Sequence, residues 1–76
     1  MQDKIFVTTE YDFREDLKAM LNTEKYEVLE QFEHPNEIDG DKEYTIVVAT
    51  DNKEKGIPKI TELGFDYNIP LLVSDK

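Results

Sequence analysis

Four short apolar runs predict four β-strands along this chain. Residues 4–8 place β-branched and aromatic side chains together, without the alternation of a half-solvated strand. Residues 26–32 mix such side chains with glutamates, a composition typical of an edge strand whose charges discourage further pairing. Residues 44–49 contain Ile-Val-Val and predict a central strand covered on both faces. Residues 69–73 predict a last strand with a proline near its start.

Two segments have the apolar spacing of helices. In the first, apolar residues recur on one helical face: Phe13, Leu17, Met20 and Leu21. Asp12 suits the N-cap of this helix, which we expect to run from about residue 13 to residue 22 or 23. A second, short helix is expected over residues 59–63, with Gly64 placed to end it.

The alternation of strands and helices predicts one α/β domain over residues 1–76. We expect a small four-stranded, mostly parallel sheet in the order 2-1-3-4, with two helices and right-handed crossovers. Residues 33–43 are rich in acids and turn formers, and predict a loop with at most one helical turn around residues 36–38. This loop is the irregular step, and a hairpin between the second and third strands is the alternative topology.

Several segments have the pattern of one known family. Residues 5–14 read Ile-Phe-Val-Thr-Thr-Glu-Tyr-Asp-Phe-Arg, an apolar strand followed by a helix that starts Asp-hydrophobe-Arg. Farther on come the strand residues 46–48, Gly56 at the opening of the next helix, and Ile-Pro at the start of residues 69–73. Together these features resemble a response-regulator receiver domain, the phosphoacceptor module of two-component signalling. The resemblance implies a shortened flavodoxin-like sheet.

The departures from the receiver pattern concern its chemistry. Thr8 and Thr9 occupy the places of the family's acidic pair, and Ala49 or Thr50 stands where the phosphoacceptor aspartate is expected. The sequence reaches Lys76 without the fifth strand that would bring the family's lysine. The resemblance therefore implies a degenerate domain that is not phosphorylated on aspartate, and whose missing strand leaves room for a homodimer or another partner.

Charge and composition limit the classes of binding partner that we expect. The chain has 9 Lys and Arg residues and 18 Asp and Glu residues. The resulting net charge of -9 disfavours direct binding to nucleic acid or to anionic membranes. A basic protein surface is the favoured partner. With no cysteine and only His34 as histidine, we expect no disulfide, no thiolate or zinc site and no cofactor. The short N-terminal apolar run predicts neither a signal peptide nor a membrane span, and we expect a cytoplasmic protein.

One candidate ligand edge lies where two predicted parallel strands end together. Its polar side chains are Thr8, Thr9, Glu10, Thr50, Asp51 and Asn52. Hydroxyls and carboxylates at such an edge can bind a metal or a small polar ligand, although capping and turn roles explain the same residues. No glycine-rich phosphate loop accompanies them, and His34 is expected to be a solvated loop residue. We therefore expect no enzymatic activity.

An acidic series along the second strand and the following loop is the other candidate site. Its members are Glu30, Glu33, Glu37, Asp39, Asp41 and Glu43. A solvated surface explains them, and so does a face that docks a basic partner. The leading hypothesis is a noncatalytic, receiver-like protein-interaction module that docks through this acidic surface or a sheet edge. The alternatives are a small acidic inhibitor or DNA mimic of the phage or mobile-element type, and a small-ligand or metal binder at the strand ends.

Overall fold

The computed structural model describes residues 2–35 and 42–75. Its elements, in chain order, are β1 (Asp3–Glu10), a 3-10 turn (Tyr11–Phe13), α1 (Arg14–Thr23), β2 (Glu27–Pro35), β3 (Lys42–Thr50), α2 (Lys53–Asp66) and β4 (Leu72–Ser74). The four predicted strands and two predicted helices are all present. The predicted helical turn around residues 36–38 lies outside the described residues.

The four strands form one sheet in the order β2-β3-β1-β4, and every neighbouring pair is antiparallel. The prediction of a mostly parallel sheet in the order 2-1-3-4 is therefore wrong. The alternative hairpin is the topology that forms, because β2 pairs with β3 directly. Only residues 36–41 separate these two strands, whereas a parallel pair needs a crossover of about a dozen residues or more.

The connections make two interleaved split β-α-β units. β1 and β2 run in the same direction with β3 between them, and β3 and β4 run in the same direction with β1 between them. This is the ferredoxin-like arrangement of secondary structure. The flavodoxin-like sheet implied by the receiver resemblance is wrong. Because ferredoxin-like domains host many unrelated activities, the fold by itself assigns no function.

Both helices pack on the same face of the sheet. Ile5 and Val7 of β1 are fully buried against Leu17 of α1 and Ile60 of α2 in one cluster. Ile46 and Val48 of β3 belong to this cluster too, while Val47 does not. Because successive side chains of a strand point to opposite faces, this division separates a helix-covered face from an open face.

Helix α2 is much longer than the sequence predicts. It begins after Asn52, whose side chain accepts a hydrogen bond from the Lys55 amide at 3.1 Å, and it continues through Pro58 to Asp66. Gly64 lies inside the helix and is buried, so the prediction that it ends the helix is wrong. A Cβ atom at this position would lie 2.7 Å from Leu71 Cδ1. The missing side chain lets α2 lie close to the segment that leads into β4.

Candidate functional site: the open face of the sheet

The open face of the sheet is the one opposite the helices. β1 contributes Lys4, Phe6, Thr8 and Glu10, β3 contributes Glu43, Thr45, Val47 and Ala49, β2 contributes Glu27, Glu30, Phe32 and His34, and β4 contributes Leu72 and Ser74. Within residues 2–35 and 42–75, no helix or further strand crosses this face. The sheet therefore presents a four-strand surface to its surroundings.

An apolar band crosses the middle of the open face. Phe32, Thr45, Thr8 and Leu72 stand side by side in one cross-strand row, and the next row holds Glu30, Val47, Phe6 and Ser74. We use the name apolar band for Phe6, Phe32, Val47 and Leu72. Phe32 is 44% exposed and Leu72 is 70% exposed. Three strand spacings separate the backbones of these two residues, a distance of roughly 14 Å.

Val47 is fully buried although it lies on the open face. Neither helix contributes to this burial, because Val47 is not part of the cluster that the helices cover. Its row neighbours are Phe6 of β1 and Glu30 of β2. We attribute the burial to these larger side chains, which stand around a small one and shield it from solvent.

A chain of hydrogen bonds links three strands on this face. The hydroxyl groups of Thr8 and Thr45 are 2.8 Å apart, and His34 Nε2 lies 3.0 Å from the Thr45 hydroxyl. On its other side, His34 Nδ1 lies 3.8 Å from a carboxylate oxygen of Glu43. The prediction that His34 is a loop residue is wrong, because it lies in β2 two positions after Phe32. Strand alternation from Phe32 places it on the same face, and this signal was missed.

The order Glu43, His34, Thr45 resembles a nucleophile with its base and orienting acid. However, Thr45 is only 3% exposed, and its oxygen is already engaged by Thr8 and His34. A nucleophile must present its oxygen to a substrate, whereas this hydroxyl joins neighbouring strands. The arrangement is accordingly better suited to fixing the pairing of β1, β2 and β3 than to catalysis.

Carboxylates outnumber cations on the open face. Glu10, Glu27 and Glu30 are exposed there and make no ion pair with another described residue. Glu43, close to the His34 ring, is the fourth carboxylate, and Lys4 is the one lysine that the described strands place on this face. These acids lie at the ends and the β2 edge of the face, so they frame the apolar band.

The predicted ligand edge is divided by the antiparallel pairing. Glu10 is opposite Glu43, whereas Thr50 is opposite Asp3 at the other end of the β1–β3 pair. Glu10 and Thr50 therefore lie at opposite ends of the β1–β3 pair, roughly 24 Å apart along the strands. Among the described residues, no group of three or more His, Cys, Asp or Glu could hold a metal ion.

The individual residues of that edge have structural partners. Thr8 and Thr9 point to opposite faces, and the buried Thr9 hydroxyl donates to the Pro70 carbonyl at 2.7 Å. Thr50 donates weakly to the Asn52 carbonyl at 3.5 Å, and Asn52 caps α2. Asp51 is exposed. Thr8 and Thr9 are therefore bonded to neighbouring segments of the fold, and Asn52 is the member of this set that caps a helix.

The predicted docking acids are also distributed over different places. Glu30 and Glu43 lie on the open face, while Glu33 is opposite Tyr44 and so belongs to the other face at the exposed β2 edge. The remaining members, Glu37, Asp39 and Asp41, fall outside the described residues. The structure therefore brings only part of the acidic series to one surface.

Apart from the open face, the structure has a groove at the end of the helical layer. This groove encloses about 500 Å³ and is lined mainly by Phe13, Phe65, Ile69 and Leu71. Phe65 is 82% exposed at its rim. Its lining has no charged side chain, so the groove gives less indication than the open face of which ligand it would bind.

The C-terminal ends of the two helices are joined by a polar contact. The Tyr67 hydroxyl donates to Glu24 Oε2 at 2.8 Å, and this hydrogen bond to a carboxylate raises the pKa of Tyr67. The pKa of Tyr26 is raised as well, first by burial and then by the charge of Glu24. These shifts arise on the helix-covered side, away from the apolar band.

Comparison with known proteins returns no relative. No family model matches the chain, and neither a curated protein nor a solved structure matches it. The resemblance to receiver domains therefore stays a prediction, while the fold that it implied is wrong. No described helix is long and apolar enough to cross a membrane.

Proposed function

We propose that this chain is a noncatalytic, cytoplasmic protein-interaction module that docks through the open face of its sheet. One observation carries the proposal: the apolar band remains uncovered by any described element, with Phe32 and Leu72 exposed. An antiparallel sheet with one face in water normally places polar side chains there. Apolar patches framed by polar residues mark surfaces that bind other proteins.

The polar groups of the open face support a binding role more than a chemical one. The hydroxyls of Thr8 and Thr45 are hydrogen-bonded to each other, and the His34 ring lies between Thr45 and Glu43. Such cross-strand bonds make the surface rigid before it meets a partner, which lowers the entropic cost of association. A catalytic role would need an accessible nucleophile or base beside a pocket.

The acidic inhibitor or DNA mimic is the second candidate, and it is favoured by the unpaired carboxylates of Glu10, Glu27 and Glu30. A mimic of nucleic acid presents its negative charges as the contact surface itself. On the open face the acids lie at the ends and the β2 edge of an apolar centre instead. This arrangement favours the docking module over the mimic.

The proposed function is tested by polar substitution in the apolar band. The double variant Phe32→Ser/Leu72→Ser removes two exposed side chains, so we expect it to remain folded and to lose its cellular partner. The matched control is Val28→Ser/Phe65→Ser, which removes two exposed side chains on the helix-covered side. Quantitative affinity capture from the native host, followed by amide NMR mapping of each recovered partner, measures the difference.

Two outcomes would contradict the proposed function. If the Phe32/Leu72 variant recovers the same partners as the original chain, or if the mapped amides lie on the helices, the open face is not the docking surface. A folded variant is verified beforehand by its dispersed amide spectrum.

A further inference from the structure

We infer that the occupant of the open face is a cationic polypeptide segment with apolar side chains that contact the band between Phe32 and Leu72. This inference rests on the proposed function and adds the chemistry of the partner. It joins two independent features of the same face: the uncovered apolar band and the excess of carboxylates around it.

The charge of the face selects a cation. Among the described residues, four carboxylates lie on this face, on Glu10, Glu27, Glu30 and Glu43, and one ammonium group, that of Lys4. A neutral partner would shield the nearest carboxylates from water and offer nothing in return, which is costly. Lysine or arginine side chains at the borders of the contact would instead pair with them and steer the approach.

The centre of the face selects apolar anchors. Thr45 is buried and its hydroxyl contacts both Thr8 and His34, so the middle row between Phe32 and Leu72 offers a ligand mainly apolar contacts. Phe32 and Leu72 stand roughly 14 Å apart at the two outer strands, with Phe6 and Val47 between them. That distance is about nine residues of an α-helix, or about four residues of an extended strand.

A second copy of this chain is a poor occupant of the same face. Face-to-face pairing would bring the four carboxylates of one copy towards those of the other, and each chain carries a net charge of -9. Like charges placed opposite each other across an interface cost several kcal/mol by rough measure. Nucleic acid is disfavoured for the same reason, because its phosphates are anionic.

The test uses three designed peptides and the whole chain. One peptide places leucines at helical spacing (i, i+3, i+4, i+7) and lysines on the opposite face, the second replaces lysine by glutamate, and the third replaces leucine by serine. We expect only the leucine–lysine peptide to bind, with amide shifts at Phe6, Phe32, Val47 and Leu72 and unchanged amides at Leu17 and Ile60. Added salt should weaken this binding.

Charge-matched variants separate the open face from the overall charge. Glu10→Gln/Glu27→Gln/Glu30→Gln should weaken binding of the leucine–lysine peptide about ten-fold, since three exposed ion pairs together contribute about that much. The control, Glu54→Gln/Glu62→Gln/Asp66→Asn, removes three exposed acids of α2 and should leave the affinity nearly unchanged.

Three results would overturn the inference. They are equal binding of the glutamate peptide, equal binding of the serine peptide, and equal weakening by both triple variants. Any of them can occur while Phe32→Ser/Leu72→Ser still abolishes capture of the natural partner, so the proposed function can survive the failure of this inference. If that double variant captures its partner normally, the docking surface itself is wrong, whichever peptides bind.

Discussion

The two faces of the sheet come from the same four strands, yet they are buried by different means. On the helix-covered face, Val48 is shielded by residues from other elements of one cluster. On the open face, Val47 is buried to the same degree without a covering helix, while Phe32 and Leu72 remain exposed nearby. The two valines are therefore equally buried, but one is covered by helices and the other by neighbouring side chains of its own face. The first face is covered by the helices, and the second has no covering element among the described residues.

The largest expected effect separates two adjacent valines of β3. Val48→Ala should lower the free energy of unfolding by about 2–3 kcal/mol, because two methyl groups are lost and an enclosed cavity is left. Val47→Ala should cost about 1 kcal/mol, since side chains on the open face can move into the space. Urea denaturation of both variants measures the difference. Equal losses would mean that both faces are packed alike.

A smaller effect concerns how closely α2 covers the sheet. Gly64→Ala should cost about 1–2 kcal/mol, because its Cβ meets Leu71 Cδ1 at 2.7 Å and the Ile69 carbonyl oxygen at 3.1 Å. The helix propensity of alanine offsets about 1 kcal/mol of the strain. Gly56→Ala is the comparison, since its 2.6 Å contact is with the end of the Ile5 side chain, and we expect a smaller loss. Thermal unfolding would contradict this view if Gly64→Ala stabilised the chain.

Two buried threonines, one on each face of the sheet, allow the hydrogen bonds of the two faces to be compared. Thr45→Val removes a hydroxyl shared by Thr8 and His34 on the open face, and we expect a loss of about 1 kcal/mol. Thr9→Val removes one bond, to the carbonyl of the exposed Pro70, and should cost about 0.5 kcal/mol because water can replace it. Chemical denaturation gives both numbers. A larger loss of unfolding free energy for Thr9→Val than for Thr45→Val would contradict the stabilising role of the hydrogen-bond chain on the open face.

The smallest effect is a titration that reports on the helix-covered side alone. Glu24→Gln should lower the pKa of Tyr67, because it removes the carboxylate that accepts the phenol's hydrogen bond. The pKa of Tyr26 should fall less, since burial is the first cause of its rise. Ultraviolet absorbance of tyrosinate, with single tyrosine-to-phenylalanine variants for assignment, follows each group. The double variant Phe32→Ser/Leu72→Ser should leave both values in place; if it shifts them, the two faces are coupled.

The sequence predicted the elements better than their arrangement. The first helix and the four strands are present because their patterns are local: helical spacing after Phe13, and β-branched runs such as that of β3. Helix α2 was underestimated because Gly56 and Pro58 are usually helix breakers. Gly56 packs closely on the end of the Ile5 side chain, and the Asn52 cap starts the helix well before the proline.

The direction of the strands was not predictable from the same patterns. Every residue from Tyr44 to Ala49 is buried, and such a run is typical of a parallel strand covered by helices on both faces. In this chain Val47 and Ala49 are shielded by neighbours on the open face instead. The candidate ligand edge depended on the parallel arrangement, so it was lost with it. The open face depends on cross-strand register, which links residues such as Phe32 and Leu72 that are far apart in the sequence.

The position of β1 in the sheet has a consequence for synthesis of the chain. Among the described strands, β1 precedes both of its neighbours, β3 and β4, in the chain, and β4 comes more than sixty residues after it. At about 5–20 residues added per second, one edge of β1 waits several seconds on the ribosome before its partner exists. During that interval its apolar side chains and free backbone groups are open to wrong pairing. The pairing of β1 with both neighbours, and with it the complete sheet, can therefore form only after β4 has been made.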